Sequence, residues 1–159
     1  MELKETRQRY NLSQLQASNI TGVPLRTYVR YENDDNYGDD LKRVSMINIL
    51  DNTCAVTETK GLLSIDTIKR VVTAIFEEEY KGEIEFCYLF GSYAKGKASE
   101  ISDVDLCVST KLTGFKFVGI SEKIRNALNK KIDLIKFSSL NNNIELINEI
   151  MKDGIKIYG

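Results

Sequence analysis

Residues 84–106 read IEFCYLFGSYAKGKASEISDVDL. The segment opens as a buried strand, passes through a small-residue turn starting at Gly91-Ser92, and reaches a second strand carrying Asp103 and Asp105. A glycine at a strand end lets backbone amides approach an anionic group that a side chain would obstruct. Carboxylates at i and i+2 on a strand leave the same face, ~7 Å apart at ~3.3 Å per residue. A phosphate cradle leading into a carboxylate pair suits metal-assisted phosphoryl or nucleotidyl chemistry.

Composition narrows the setting. The chain has 159 residues, 42% hydrophobic and 28% charged, which is the balance of a soluble globular protein of one ordinary domain or two small ones. No apolar run approaches the ~20 residues that span a bilayer, and the charged start MELKETRQRY is no signal peptide, so no membrane association is expected. Cys54, Cys87 and Cys107 lack metal-like or paired spacing and read as reduced thiols of a cytoplasmic protein. Histidine is absent, which excludes serine triads, His-metal sites and His general bases. A net charge of −1 gives no bulk attraction for nucleic acid.

Downstream, Leu106-Cys107-Val108 continues a buried strand, a loop over Lys111–Lys116 precedes a helix with Phe117, Ile120, Ile124 and Leu128 at helical spacing, and KKIDLIKF forms another strand. Asp133 interrupts that apolar strand, a costly placement for an acid unless it is paired or bound to a metal. A helix at Ile144–Lys152 and a short edge-strand candidate at Ile155–Tyr158 complete the chain. Upstream, Ser64 caps a helix from Ile65 to Tyr80 whose Ile65, Ile68, Val71, Val72, Ile75 and Phe76 form one face.

Asp103, Asp105 and Asp133 are the candidate catalytic and metal-ligating residues. Hard divalent cations such as Mg2+ take oxygen ligands, usually one or two carboxylates with water and substrate phosphate. Three such acids suit one or two ions held against a nucleoside triphosphate. Gly91 and Ser92 are then placed to grip the β- and γ-phosphates, Lys95 to add a cation, and Ser102 to steady either the turn or the phosphates. Asp133 is the best placed to accept the nucleophile's proton. Each part alone is common: Asp-x-Asp occurs in many turns, and Asp133 also suits the surface of an edge strand. Their order along one chain is what joins them.

The first sixty residues read differently. Leu3–Tyr10 is a short helix, Ser13 caps a second reaching about Ile20, Gly22 breaks it, and Pro24 opens a third over LRTYVRYE. In that third helix Tyr28 and Tyr31 point to the core and Arg26, Val29 and Arg30 point outward. Leu41–Leu50, apolar at Leu41, Val44, Ile47 and Leu50, reads as a further amphipathic helix. Helix, glycine turn and helix make a helix-turn-helix, whose second helix suits the major groove. Against this, residues 1–60 hold eight Lys/Arg and nine Asp/Glu, and the acids cluster just after the third helix. A helical docking module is the alternative. The chain thus divides into 1–55, a linker at 56–63, and 64–159.

Two resemblances add to this reading. Gly91-Ser92-Tyr93-Ala94-Lys95-Gly96 followed by Ser102-Asp103-Val104-Asp105-Leu106 resembles the signature of the nucleotidyltransferase superfamily, nearest its minimal nucleotidyltransferase branch. The likeness runs from about Leu63 to the end, with Lys95 where the group commonly has arginine. It implies an α/β (α+β) fold with a small mixed sheet, Mg2+, and ATP as the source of a transferred nucleoside monophosphate. It also places Gly91, Ser92, Lys95, Gly96 and Ser102 around the nucleotide. Small members of that branch are typically antitoxins that attach AMP to a tyrosine of a HEPN-type toxin, here necessarily encoded separately. Residues 12–33 resemble the Xre/Cro-like helix-turn-helix family, with Ala17-Ser18 where Leu-Ala is usual. That likeness implies an all-α domain with Gln14 near a phosphate, Arg26, Thr27 and Arg30 toward DNA, autoregulation at an operator, and a homodimer on a palindromic site. The competing expectations are a regulator whose second half only binds nucleotide or partner, and a small-molecule nucleotidyltransferase of the aminoglycoside-modifying kind.

Overall fold

The computed structural model describes residues 2–159. Two compact units divide at Ala55/Val56. The first is all helical: α1 (Glu2–Arg9), α2 (Gln14–Thr21), α3 (Leu25–Asn33) and α4 (Asp40–Cys54). Ser13 begins α2 with a reciprocal capping box to Gln16, and Gly22, left-handed at φ 68°, ends it. Pro24 sits just before α3 as its cap, one position earlier than the sequence suggests. Leu3, Ala17, Val23, Tyr28, Tyr31, Met46 and Leu50 form the core.

The fourth helix departs from expectation on its face and its length. Arg43, Met46 and Leu50 turn inward, while Leu41 and Val44 are 78% and 51% exposed. The reason lies in Arg43, whose guanidinium donates to the carbonyls of Asp34 and Tyr37 at 3.0 Å and rests over the Tyr31 ring. Closing the α3–α4 loop in this way sets the helix rotation against simple hydrophobic order. Beneath it, Arg7 grips Glu32 through Nε and Nη2 at 2.8 and 2.7 Å, with the Glu32 side chain only 1% exposed.

The second unit is built on a sheet ordered β3-β2-β1-β4. Its elements are α5 (Ile65–Glu79), β1 (Ile84–Phe90), the single turn α6 (Gly91–Ala94), β2 (Val104–Thr110), α7 (Gly114–Leu128), β3 (Ile132–Lys136), a 3-10 turn at Phe137–Leu140, α8 (Ile144–Asp153) and β4 (Ile155–Tyr158). α7 begins three residues before Phe117, inside the expected loop. β1 pairs antiparallel with β2 and with β4, whereas β2 and β3 run parallel, so the sheet is mixed.

Alternation assigns the two faces of the sheet. Leu89, Val104, Leu106 and Val108 pack with Ile68, Val72, Phe76, Ile120 and Ile124 of α5 and α7. On the other face, Phe90 and Cys107 pack with Leu140 and Ile150. Asp105, two residues before Cys107, therefore emerges on the α8 face.

Candidate active site

Parallel pairing of β2 with β3 puts Asp105 directly opposite Asp133. Neighbouring strands lie ~4.8 Å apart, so two carboxylates leave the same face at close range. Asp103 lies one residue before β2 rather than within it, and its Oδ2 accepts from Lys131 Nζ at 3.2 Å. The sequence names Asp103, Asp105 and Asp133 as one set, and the charges of Asp133 and Asp103 both bear on Asp105. Among the described residues no three His, Cys, Asp or Glu side chains are gathered into a preformed metal-ligating group. Asp103 is paired with Lys131, and the facing pair Asp105/Asp133 forms the centre beside it.

The electrostatics are those of an anion-crowded site. Burial, followed by the charges of Asp133, Asp103 and Glu149, pushes the Asp105 carboxyl up to about 6, with Lys131 pulling it back. A carboxylate so disfavoured by its neighbours gains from any cation placed among them. The donor set is all oxygen, with one or two carboxylates central, which fits Mg2+.

Glu149 is the residue the sequence did not disclose. It lies on α8, and its Oε1 accepts from Lys95 Nζ at 2.6 Å. That pairing raises the Lys95 ammonium above its ordinary value. Lys95, expected to add a cation toward the phosphates, pairs here with the acid on α8. Nothing in the spacing of Glu149 beside the apolar Ile147 and Ile150 marks it as a site residue; only the seating of α8 on the sheet does.

The turn is built for close approach. Gly91 has φ 69°, and a Cβ there would fall on the Asp105 carboxylate. Tyr93 is buried in the core beneath, and the Lys95 and Lys97 amides donate to the Gly91 and Ser92 carbonyls at 3.1 and 2.9 Å. Gly96, left-handed at φ 67°, has open space around it. Ser102 accepts from the Ser99 amide at 2.8 Å, the turn-steadying arrangement of the two expected for it. A cavity of about 350 Å³ lined by Phe86, Tyr88, Phe137 and Met151 lies further along β1, since Phe86 pairs with Ser109 whereas Phe90 pairs with Asp105.

In the helical unit, Arg26 and Arg30 are exposed and Thr27 is half-buried. The Arg30 guanidinium lies over the Tyr37 ring at 5.7 Å. Gln14, expected near a phosphate, donates its amide to Glu32 at 3.2 Å.

The polymerase beta nucleotidyltransferase model matches residues 71–159. MJ1215 of Methanocaldococcus jannaschii, a candidate protein adenylyltransferase, is 36% identical over 83 residues, covering 51% of this chain and 94% of that protein. The protein adenylyltransferase MntA of Thermococcus cleftensis is 31% identical over 87 residues, covering 53% of this chain and 88% of its own length. A toxin-antitoxin crystal structure with AMP-PNP superposes with a TM-score of 0.49 at 22% identity, over 57% of this chain and 73% of that one. With both acids and the glycine turn falling inside the matched region, the chain belongs to the polymerase beta-type nucleotidyltransferase family.

Proposed function

We propose that this protein transfers AMP from ATP to a hydroxyl of a partner protein, and that the partner is a separately encoded HEPN-type toxin which the transfer neutralises. The observation that carries the reading is the opposition of Asp105 and Asp133 beside the Gly91 turn. The matched relatives named as protein adenylyltransferases support a protein acceptor.

Asp105 and Asp133, with Asp103 once it leaves Lys131, are the residues that would hold Mg2+. The ion would neutralise charge on the triphosphate and lower the pKa of the attacking hydroxyl. Gly91 and Ser92 receive the phosphates at the turn, and the bare Cα of Gly91 leaves the room that the Asp105 carboxylate occupies. The acceptor oxygen attacks the α-phosphorus, the bond to the bridging oxygen breaks, pyrophosphate leaves, and Asp133 takes the hydroxyl proton. Lys95 shifts from Glu149 toward the departing phosphates.

The helical unit is read as an operator-binding module, used by two copies on a palindromic site. Its support is the α2–Gly22–α3 arrangement with Arg26 and Arg30 exposed on α3. Co-expression with the neighbouring toxin tests the enzyme reading: wild type should add one or more AMP groups to it, visible as mass increments. An unmodified toxin, with Mg·ATP bound but never turned over, would favour the regulator reading instead.

A further inference from the structure

Lys130 has no place in this chemistry, yet it is fully buried. Among the described residues it makes no ion pair within 4 Å, although the charge of Glu100 lies close enough to act on it. It donates to three backbone carbonyls from two separate segments: Glu58 at 3.4 Å, Lys60 at 3.5 Å, and Glu100. Burying this charge on carbonyl acceptors is expensive, and desolvation lowers its pKa against the opposing charge of Glu100. An apolar residue would fill the same space at less cost, so the position has some use for the charge.

The carbonyl of Glu100 shows what that use is. It lies three residues ahead of Asp103, in the connection between the glycine turn and β2. The next residue, Lys131, holds the same connection twice more: its carbonyl accepts from the Val104 amide at 2.9 Å, and its ammonium meets Asp103. Consecutive lysines thus grip the start of β2 from inside and outside. The inner one also ties it to the Thr57–Lys60 turn that precedes α5. Without Lys130, the Glu58 and Glu100 carbonyls would lose this donor, and between the Lys97 amide's hydrogen bond to Ser92 and the start of β2 the connection would rest on its Ser99–Ser102 turn and the Lys131 contacts.

We propose that Lys130 is a positioning residue that fixes Asp103 and Asp105 for nucleotide binding by clamping the 96–103 connection; this rests on the nucleotidyltransferase reading. The test compares full-length wild type, K130M, the milder K130Q, and an α7 core variant, I124V, as a stability control. Two measurements are made: amide hydrogen exchange across 96–103, and calorimetric binding of Mg·ATP. Exchange over 96–103 should rise at least tenfold in K130M while α5 stays protected, and Mg·ATP affinity should fall about tenfold. I124V should keep wild-type affinity at whatever stability it loses. Unchanged exchange at 96–103 overturns the clamp. Faster exchange with affinity within twofold of wild type overturns its role in binding. Should K130M fail to fold, K130Q must show the same changes in folded protein; if both unfold, Lys130 is a folding residue and the proposal falls. Failure of the wild type to bind Mg·ATP would instead remove the nucleotidyltransferase reading, and the exchange result would still decide the clamp.

Discussion

The carboxylate of Asp105 occupies the space that a side chain on Gly91 would need. The two residues lie on different strand ends, joined because Phe90 pairs with Asp105 across β1 and β2. Gly91 also has φ 69°, so one position carries both a conformational and a steric demand. The glycine of the turn and the first acid of the pair are therefore one unit.

Gly91→Ala should damage the site twice over. Left-handed backbone costs a residue with a Cβ about 1 kcal/mol, and the new methyl displaces Asp105. AMP transfer should drop ~100-fold or more, as when one group of a preorganised charged site is removed. Thermal melts and a radiolabelled transfer assay measure the two effects separately; transfer within threefold of wild type would refute the coupling of turn and acid.

Asp105→Asn should abolish transfer and, in the absence of divalent cations, stabilise the second unit. Burial and the charges of Asp133, Asp103 and Glu149 all oppose ionisation at this position, so a neutral isostere relieves repulsion. Melting in EDTA should show a higher midpoint for the variant than for wild type. With millimolar Mg2+ the difference should shrink or invert, because only the wild type gains from the cation.

The Arg7–Glu32 pair makes the helical unit acid-sensitive. Burial opposes ionisation of Glu32, but hydrogen bonds from Arg7 and Gln14 and the charges of Arg7 and Lys4 outweigh it, and the net shift is downward from 4.5. A depressed carboxyl contributes stability that is complete above its ordinary value and is lost as pH falls through the folded one. Helicity of residues 1–55 should therefore fall on titration below about pH 4.5. Arg7→Met leaves a buried carboxylate unpaired and should cost about 3 kcal/mol at neutral pH. A Glu32→Gln variant should flatten the acid transition; an unaltered profile would put the sensitivity elsewhere.

Operator binding by the helical unit should depend on Arg26 and Arg30, the exposed cations of α3. Each replaced by alanine should weaken a gel-shift on upstream DNA, and a residue that contacts phosphate should also reduce the salt dependence by about one unit of slope. Arg30→Ala also removes the cover over Tyr37, so its melt should be measured alongside. If the wild type does not shift this DNA, the unit is a docking module.

Much of this could be read along the chain because the informative contacts are local or periodic. The glycine turn, the i, i+2 acids and the capped helix at Ser64 follow from residue type and spacing, while the mixed sheet was an expectation of the family resemblance. What spacing could not supply is the partner of each charge. Lys95 reads as a cation for phosphate until α8 brings Glu149 to it. Asp103 shows no partner in the sequence until the start of β3 brings Lys131 to it. Gln14 and Arg43 have no partner legible in the spacing until the helices close around Glu32 and the α3–α4 loop. Sequence periodicity records which side of an element is apolar, and so it determined the elements and the acids. Ion pairs join residues 28 or 54 positions apart, and only the packing of α8 and β3 onto the sheet decided which acids stand unpaired at its centre.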